Sequence, residues 1–353
     1  MGHDDPISLV STSAAPGAAE PVDAAVLGTG SWGTTFAAVL ADAGCAVRMW
    51  GRSAEVCAQI TEHRINASYL PGITLPAGIA ASTDLDAVVA GARLIAVALP
   101  SQTVRAVLSP LAGRIDPAAV VVSLMKGVEL GTQERMSEVL TDTLGLPAGR
   151  VAVVSGPNLA KEIAVHQPTA TVVASTDEAT AALVAHACAV PYFRPYTNTD
   201  VVGVELGGAV KNVIALAVGM AQGSGFGHNT TATIITRGLA ETIRLGAALG
   251  AQAETFAGLA GLGDLVATCA SPLSRNNTLG RHIGAGMSLA EAVTATSGTA
   301  EGVKSCGAVL ELAQRHGVDM PITQAVAAVL HHGLPVSAMT EALLSRPRKA
   351  EGG

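Results

Sequence analysis

The chain has 353 residues, enough for two domains that each bury a core. Nearly half are apolar (49%), 14% are charged and 39 are glycine, which excludes a disordered chain and fits a compact, alanine-rich α/β protein. A net charge of −7 argues against a general nucleic-acid binder but leaves room for a local basic pocket that takes a phosphorylated small molecule.

Residues 1–20 carry Asp4, Asp5 and Glu20 and lack a basic start followed by an apolar run, so a disordered tail is expected there, not a signal peptide. The first strand is expected at 24–27. It runs into Gly28-Thr29-Gly30-Ser31-Trp32-Gly33 and then into an apolar helix over 34–40, and a second strand is expected at 47–50. Strand, glycine turn, helix and strand within about 30 residues is the pattern of a dinucleotide fold. Gly28 permits the tight turn, Gly30 lets the backbone approach a pyrophosphate, and Gly33 lets the helix pack close to the strand. The second strand ends in Gly51-Arg52-Ser53. An acid there would hold a ribose 2′-hydroxyl; none is present, and Arg52 suits a 2′-phosphate. The expected cofactor is NADP(H), with NAD(H) tolerated; the alternative for Arg52 is a surface arginine beside the cofactor.

Further strands are expected at 94–98, 120–124, 151–154 and 171–174, with helical patterns at 103–111 and 134–144 between them. Near-continuous apolar strands alternating with helices imply a parallel sheet covered on both faces. Ligands bind at the carboxyl ends of such strands. Leu99-Pro100-Ser101-Gln102 offers donors there, or is plain loop chemistry. Lys126 polarises a carbonyl in the crevice or is a solvent lysine at a strand end. Backbone donors beside Gly156 and the side chain of Asn158 are available to a small polyol.

After about residue 200 the strand signals stop, and helices follow, broken at 222–227 and 258–263. The expected division is a dinucleotide-binding domain at 21–198, a helical domain at 199–343, and a loose tail at 344–353. The apolar stretch 201–221 contains Glu205 and Lys211, and reads as a buried helix, not a membrane span. On a helix the neighbours of Lys211 are Gly207, Gly208, Ile214 and Ala215, a trough with room for a small ligand. Glycines inside a helix cost roughly 1 kcal/mol each against alanine, so a packing or approach reason is expected at them. Burial lowers a lysine pKa toward the range useful for proton transfer. In isolation such a lysine is more often a snorkelling residue at a helix seam. Asp264, in a glycine-rich turn, either holds that ammonium or caps a helix. Ser274-Arg275-Asn276 near a helix start form either a phosphate clamp or a capped helix with an exposed arginine. The histidines form no metal-binding or catalytic constellation. The five cysteines are scattered and unpaired in spacing, which points to a reduced, cytoplasmic compartment.

Several blocks resemble one family. GTGSWG at 28–33, LPSQ at 99–102, MKG at 125–127 and GPNLAKEIA at 156–164 are similar to bacterial NAD(P)-dependent glycerol-3-phosphate dehydrogenase. So are GVELGGAVKNVIAL at 203–216, TRGLAE at 236–241, LAGLGDLVATC at 259–269 and SPLSRNN at 271–277. The resemblance runs in order from about residue 22 to 340. It implies an α/β Rossmann-like N-terminal domain, an all-α C-terminal domain and an active site between them. It implies reduction of dihydroxyacetone phosphate to sn-glycerol 3-phosphate, the glycerol backbone for phospholipids, with NADH or NADPH. By motif it implies Lys211 as proton donor and acceptor, in contact with substrate. It gives Lys126 a place against both cofactor and substrate, and puts Gly156, Asn158 and Asp264 in substrate contact. Ser274, Arg275 and Asn276 fall at the phosphate, Arg275 also near the cofactor. Ser31, Trp32, Arg52, Ala160 and Glu301 fall at the cofactor, with the glycine turn. No metal and no nucleic acid are implied, and a homodimer is compatible. Asn158 departs from the family's usual Ser or Thr, Thr231 stands where many relatives have lysine, and many have a basic residue near Asn277. Two alternatives remain: a 3-hydroxyacid dehydrogenase of the hydroxyisobutyrate kind, and a non-catalytic NADPH sensor.

Overall fold

The computed structural model describes residues 22–296 and 301–339; the tails expected at 1–20 and 344–353 lie outside them. Eight strands build one sheet: β1 (Asp23–Leu27), β2 (Ala46–Trp50), β3 (Ala80–Ser82), β4 (Leu94–Val97), β5 (Val120–Ser123), β6 (Val151–Ser155), β7 (Thr169–Ala174) and β8 (Phe193–Asn198). Their spatial order is β3-β2-β1-β4-β5-β6-β7-β8. Strands β1 to β6 are parallel, and the register sets Leu27 beside Trp50 and Val97, and Val97 beside Ser123. Their carboxyl ends therefore form one row. Alternation along β1 feeds both faces: Ala24 and Val26 join one core, Ala25 and Leu27 the other.

The sheet corrects the expectation of an all-parallel arrangement. Strand β7 pairs antiparallel to β6, and β8 runs parallel to β7. The link from β6 to β7 holds only a five-residue helix, Ala160–Ala164, and returns the chain in the opposite direction. Strands β3 and β8 lie outside the sequence expectation. β3 is three small residues, and β8 contains Pro195, which a central strand would reject and an edge strand accommodates. The helix expected at 103–111 is a short helix, Val104–Leu108, between two 3₁₀ turns; Pro110 lacks the N–H that would continue it.

From Val201 the described residues form helices joined by turns. The central helix Val201–Gly223 is about 35 Å long at 1.5 Å per residue. Asp200 caps it by accepting from the Gly203 N–H at 2.9 Å. It is long and apolar enough to cross a membrane by length and composition, but 94% of its most apolar window is buried inside the protein. Helices His228–Ala248, Asp264–Ala270, Arg275–Gly284, Glu301–Arg315 and Pro321–His332 pack around it. Glu205 ties the central helix to the sheet domain. Its buried carboxylate accepts from Arg135 Nη1 at 2.6 Å, Ser137 N at 2.7 Å and Ser137 Oγ at 2.6 Å, at the start of helix Met136–Leu144. Burial pushes its pKa up, and Arg135 and Ser137 oppose that shift.

The central helix meets Arg275–Gly284 backbone to backbone through four glycines. A Cβ on Gly219 would stand 2.2 Å from the Asn277 carbonyl oxygen, and one on Gly223 2.2 Å from that of Arg281. A Cβ on Gly280 would stand 2.3 Å from the Leu216 oxygen, and one on Gly284 2.1 Å from that of Met220. Main chain cannot yield as a flexible side chain does. Gly280→Ala is therefore expected to cost about 1–3 kcal/mol of stability, seen as a lower thermal midpoint. Gly307→Ala, on a helix where the nearest atom to a new Cβ is 4.0 Å away, should be neutral or slightly stabilising. Equal midpoints for the two variants would contradict the close-packed seam.

Candidate active site

A cleft of about 470 Å³ opens where the carboxyl ends of the parallel strands face the central helix. One wall is the glycine turn. Gly28 holds φ +124°, and a Cβ there would lie 2.5 Å from the Ala98 carbonyl oxygen. A Cβ on Gly33 would lie 2.2 Å from the Gly28 oxygen, so helix Ser31–Asp42 can sit this close only with glycine. Gly30 faces open space, with nothing within 4 Å of a Cβ position, as a backbone that receives a pyrophosphate requires. Trp32 and Asn158 line the same cleft. Trp32 Nε1 and Asn158 Oδ1 are buried without a partner among the described residues, which leaves two polar atoms for a ligand. These features fit a nicotinamide dinucleotide. At the end of β2 a Cβ on Gly51 would stand 2.6 Å from Thr29, so an acid has no room there; Arg52 is exposed and lines the cleft.

The opposite wall carries the charge. Asp264 is 1% exposed and holds two lysines at once. Lys211 Nζ donates to its Oδ1, and Lys126 Nζ donates to its Oδ2 at 2.5 Å. Lys211 also donates to Thr268 Oγ1 at 2.7 Å, and Lys126 to the Gly156 carbonyl at 3.0 Å. Burial is the largest influence on Lys211 and drives its pKa well below the ordinary lysine value; Asp264 opposes the shift and the charge of Lys126 adds to it. Asp264 starts helix Asp264–Ala270 directly after a π-helical turn, Leu259–Gly263. The trough beside Lys211 is not the ligand space that spacing suggests. Gly207 admits the backbone of that turn, since a Cβ would lie 2.5 Å from the Ala260 oxygen. Gly208 admits the stem of Lys126, whose Cγ would be 3.3 Å away. The glycines bring the second lysine and its carboxylate to the first.

Of the expected residues, Gly28, Gly30, Ser31, Trp32, Gly33, Arg52, Lys126, Asn158, Lys211, Arg275, Asn276 and Glu301 line the cleft. Gly156, Ala160, Asp264 and Ser274 lie outside that lining. Gly156 meets Lys126, Asp264 lies behind both lysines, and the Ala160 carbonyl accepts from Thr35 behind the glycine-turn helix. Ser274 is buried and caps helix Arg275–Gly284 by accepting from Asn277 N at 3.2 Å. The side chain of Asn276 joins three helices: Nδ2 donates to Asn212 at 2.9 Å, and Oδ1 accepts from Gly302 N at 2.9 Å. Glu301 accepts from Ser101 Oγ at 3.4 Å; burial pushes its carboxyl up against the pull of Arg275. His228 is exposed at a helix start and is not part of the cleft lining. Sequence reasoning missed Asn212, Thr268 and Tyr69. Thr268 stands four residues after Asp264, a helical spacing that would have found it, and Asn212 is a polar residue in an apolar run.

A dinucleotide turn at the ends of a parallel sheet, opposite a buried lysine on a helical wall, defines a two-domain nicotinamide-dependent oxidoreductase. Family models for the N-terminus and C-terminus of NAD-dependent glycerol-3-phosphate dehydrogenase match residues 23–181 and 200–341. The chain belongs to that family. It is 60% identical to the glycerol-3-phosphate dehydrogenase [NAD(P)+] of Streptomyces griseus over 94% of this chain and 98% of that one. With the enzyme of that name from Thermobifida fusca it shares 59%, over 93% and 98%. The crystal structure of glycerol-3-phosphate dehydrogenase from Coxiella burnetii superposes with a TM-score of 0.88 at 37% identity, covering 92% of this chain and 99% of that one.

Asp264→Asn leaves the buried Lys211 ammonium facing the half-buried one of Lys126 without their shared anion. It is expected to cost about 3–5 kcal/mol of stability, and Lys211→Met in the same chain should restore part of the loss. Denaturant unfolding of both single variants and the double variant measures this. Additive losses would remove the ion triad from the energetics.

Proposed function

We propose that the chain reduces dihydroxyacetone phosphate to sn-glycerol 3-phosphate with NADPH or NADH, reversibly, in the cytoplasm, and so supplies the glycerol backbone of phospholipids. Residues 21–198 form its dinucleotide-binding domain and residues 199–343 its substrate and catalytic domain. The observation that carries the reading is one buried carboxylate, Asp264, holding Lys126 and Lys211 at the cleft wall. The dinucleotide, when bound at the glycine turn, supplies the hydride. Lys211 donates its proton to the carbonyl oxygen as that oxygen becomes an alcohol. Lys126 adds a second positive charge beside the same oxygen, and Asp264 and Thr268 aim the two ammonium groups. Arg275 and the start of helix Arg275–Gly284 hold the substrate phosphate, with Ser274 and Asn276 fixing that helix end. Asn158 faces the remaining hydroxyl, and Gly156 acts through Lys126. Ser31, Trp32, Arg275 and Glu301 hold the cofactor together with the glycine turn, and Ala160 backs the glycine-turn helix through Thr35. Arg52 and the absence of an acid at Gly51 favour NADP(H) over NAD(H). A guanidinium at a helix start suits a phosphate better than the carboxylate of a 3-hydroxyacid, and a non-catalytic sensor has no use for a buried lysine pair.

NADPH loss measured with dihydroxyacetone phosphate, against a 3-oxo acid as control, tests the reaction. Lys211→Ala is expected to lower kcat about 100-fold or more, and a loss under about tenfold would refute its role. Reduction needs the Lys211 ammonium, and burial lowers its pKa. Reduction should therefore fall with rising pH on a limb below the ordinary lysine value of 10.5, while oxidation of glycerol 3-phosphate rises over the same range. A pH profile of kcat in both directions reads this. Arg52→Ala should shift the ratio of kcat/KM for NADPH over NADH toward NADH by about tenfold, one charge-assisted contact. An unchanged ratio would remove Arg52 from cofactor choice.

A further inference from the structure

Behind the glycine turn lies a loop that the proposed chemistry does not use. It follows helix Ala54–His63, whose C-cap Arg64 is left-handed at φ 56°. Two bonds close the loop at its base: Leu75 N donates to the Arg64 carbonyl at 2.8 Å, and Arg64 Nε donates to the Leu75 carbonyl at 2.8 Å. Leu70 and Leu75 anchor it, each 1% exposed. Such a loop is a compact unit with joined ends and its own packing.

Asn66 projects from it under the turn and is fully buried, at 0% exposure. Its Nδ2 donates to the Thr29 carbonyl at 2.9 Å and to Thr34 Oγ1 at 2.8 Å. Thr34 Oγ1 in turn donates to the same carbonyl at 3.3 Å. A carbonyl only accepts, so the amide orientation of Asn66 is fixed by its neighbour. The peptide is trans, and in a trans peptide C=O and N–H point opposite ways. Drawing the Thr29 oxygen inward therefore turns the Gly30 N–H outward, to the cleft side where Gly30 faces open space. The same loop is tied a second time, by Ser31 Oγ donating to the Tyr69 carbonyl at 2.9 Å, and Tyr69 lines the cleft.

We propose that Asn66 is a positioning residue for the cofactor: it acts through the Thr29 carbonyl to hold the Gly30 N–H aimed at the dinucleotide pyrophosphate. This rests on the cofactor reading above. The alternative role for a buried asparagine is loop folding alone. The two differ in what a substitution changes, because Asn66 touches neither the lysines nor the phosphate clamp.

Trp32 and Trp50, the two tryptophans of the chain, both line the cleft, so quenching of protein fluorescence reports NADPH binding directly. Asn66→Ala removes the donor, and Asn66→Asp keeps the shape but sets an acceptor against the Thr29 oxygen. Both are expected to raise the NADPH Kd about tenfold, the scale of losing the shorter of the two hydrogen bonds that hold the Thr29 oxygen. In both, kcat at saturating NADPH and KM for dihydroxyacetone phosphate should stay within about threefold. A Kd within about threefold of the parent in both variants overturns the proposal. So do parallel losses in kcat and substrate KM, and so does failure of both variants to fold, which assigns Asn66 to folding alone. If the parent protein itself binds no NADPH, the cofactor reading fails instead.

Discussion

One carboxylate in a nearly dry site governs the arrangement. Asp264 receives an ammonium on each oxygen, Lys211 from the central helix and Lys126 from the end of β5. Two positive charges that close would repel strongly at low dielectric. The shared anion lets both remain, while burial keeps Lys211 easier to deprotonate than a free lysine. Because one lysine comes from the sheet and the other from the helical part, the interaction that tunes the proton also joins the two halves. The Glu205 carboxylate, bound to Arg135 and Ser137, makes a second buried polar junction between the same halves. Each junction is costly to break because what remains is an unpaired buried charge.

Glycine does the geometric part of this work. Gly207 and Gly208 are consecutive on the central helix and so face different neighbours. One admits the π-helical turn that presents Asp264, the other the stem of Lys126. The stretch Leu259–Gly263 adopts that turn because Gly261 itself rests on the Phe256 backbone, where a Cβ would lie 2.2 Å from the carbonyl oxygen. Irregular helix at a charged site follows from the need to approach closely, as π-turns elsewhere do.

Much of this was legible in the chain. The glycine turn, its strand and its helix are local in sequence, and each glycine there answers a local steric demand. The long apolar helix with its single lysine was legible for the same reason. Strand direction was not, since the reversal between β6 and β7 depends on how a short helix returns the chain, which leaves no mark in the strand residues. Strand β8, with Arg194 and Pro195, carries edge chemistry and no core pattern. The glycines at 207 and 208 signal packing or close approach but not what approaches, and the space that spacing offers to a ligand is taken by residues 126, 155 and 260. The pairing of Asn276 with Asn212 and Gly302, and the seat of Asn66 beneath Thr29, likewise join residues far apart in the chain.

The four-glycine seam between the central helix and Arg275–Gly284 has a bearing on substrate choice. It locks main chain against main chain, so the backbones that carry Arg275 and Lys211 keep one spacing, and only the two side chains can adjust the span between their charged ends. With the roles proposed for them, the protein becomes a gauge of molecular length. A phosphorylated ketone then fits best when its phosphate and carbonyl match the spacing those two helices set. Discrimination by length then has a backbone component, set by the seam and shared with the reach of the two side chains.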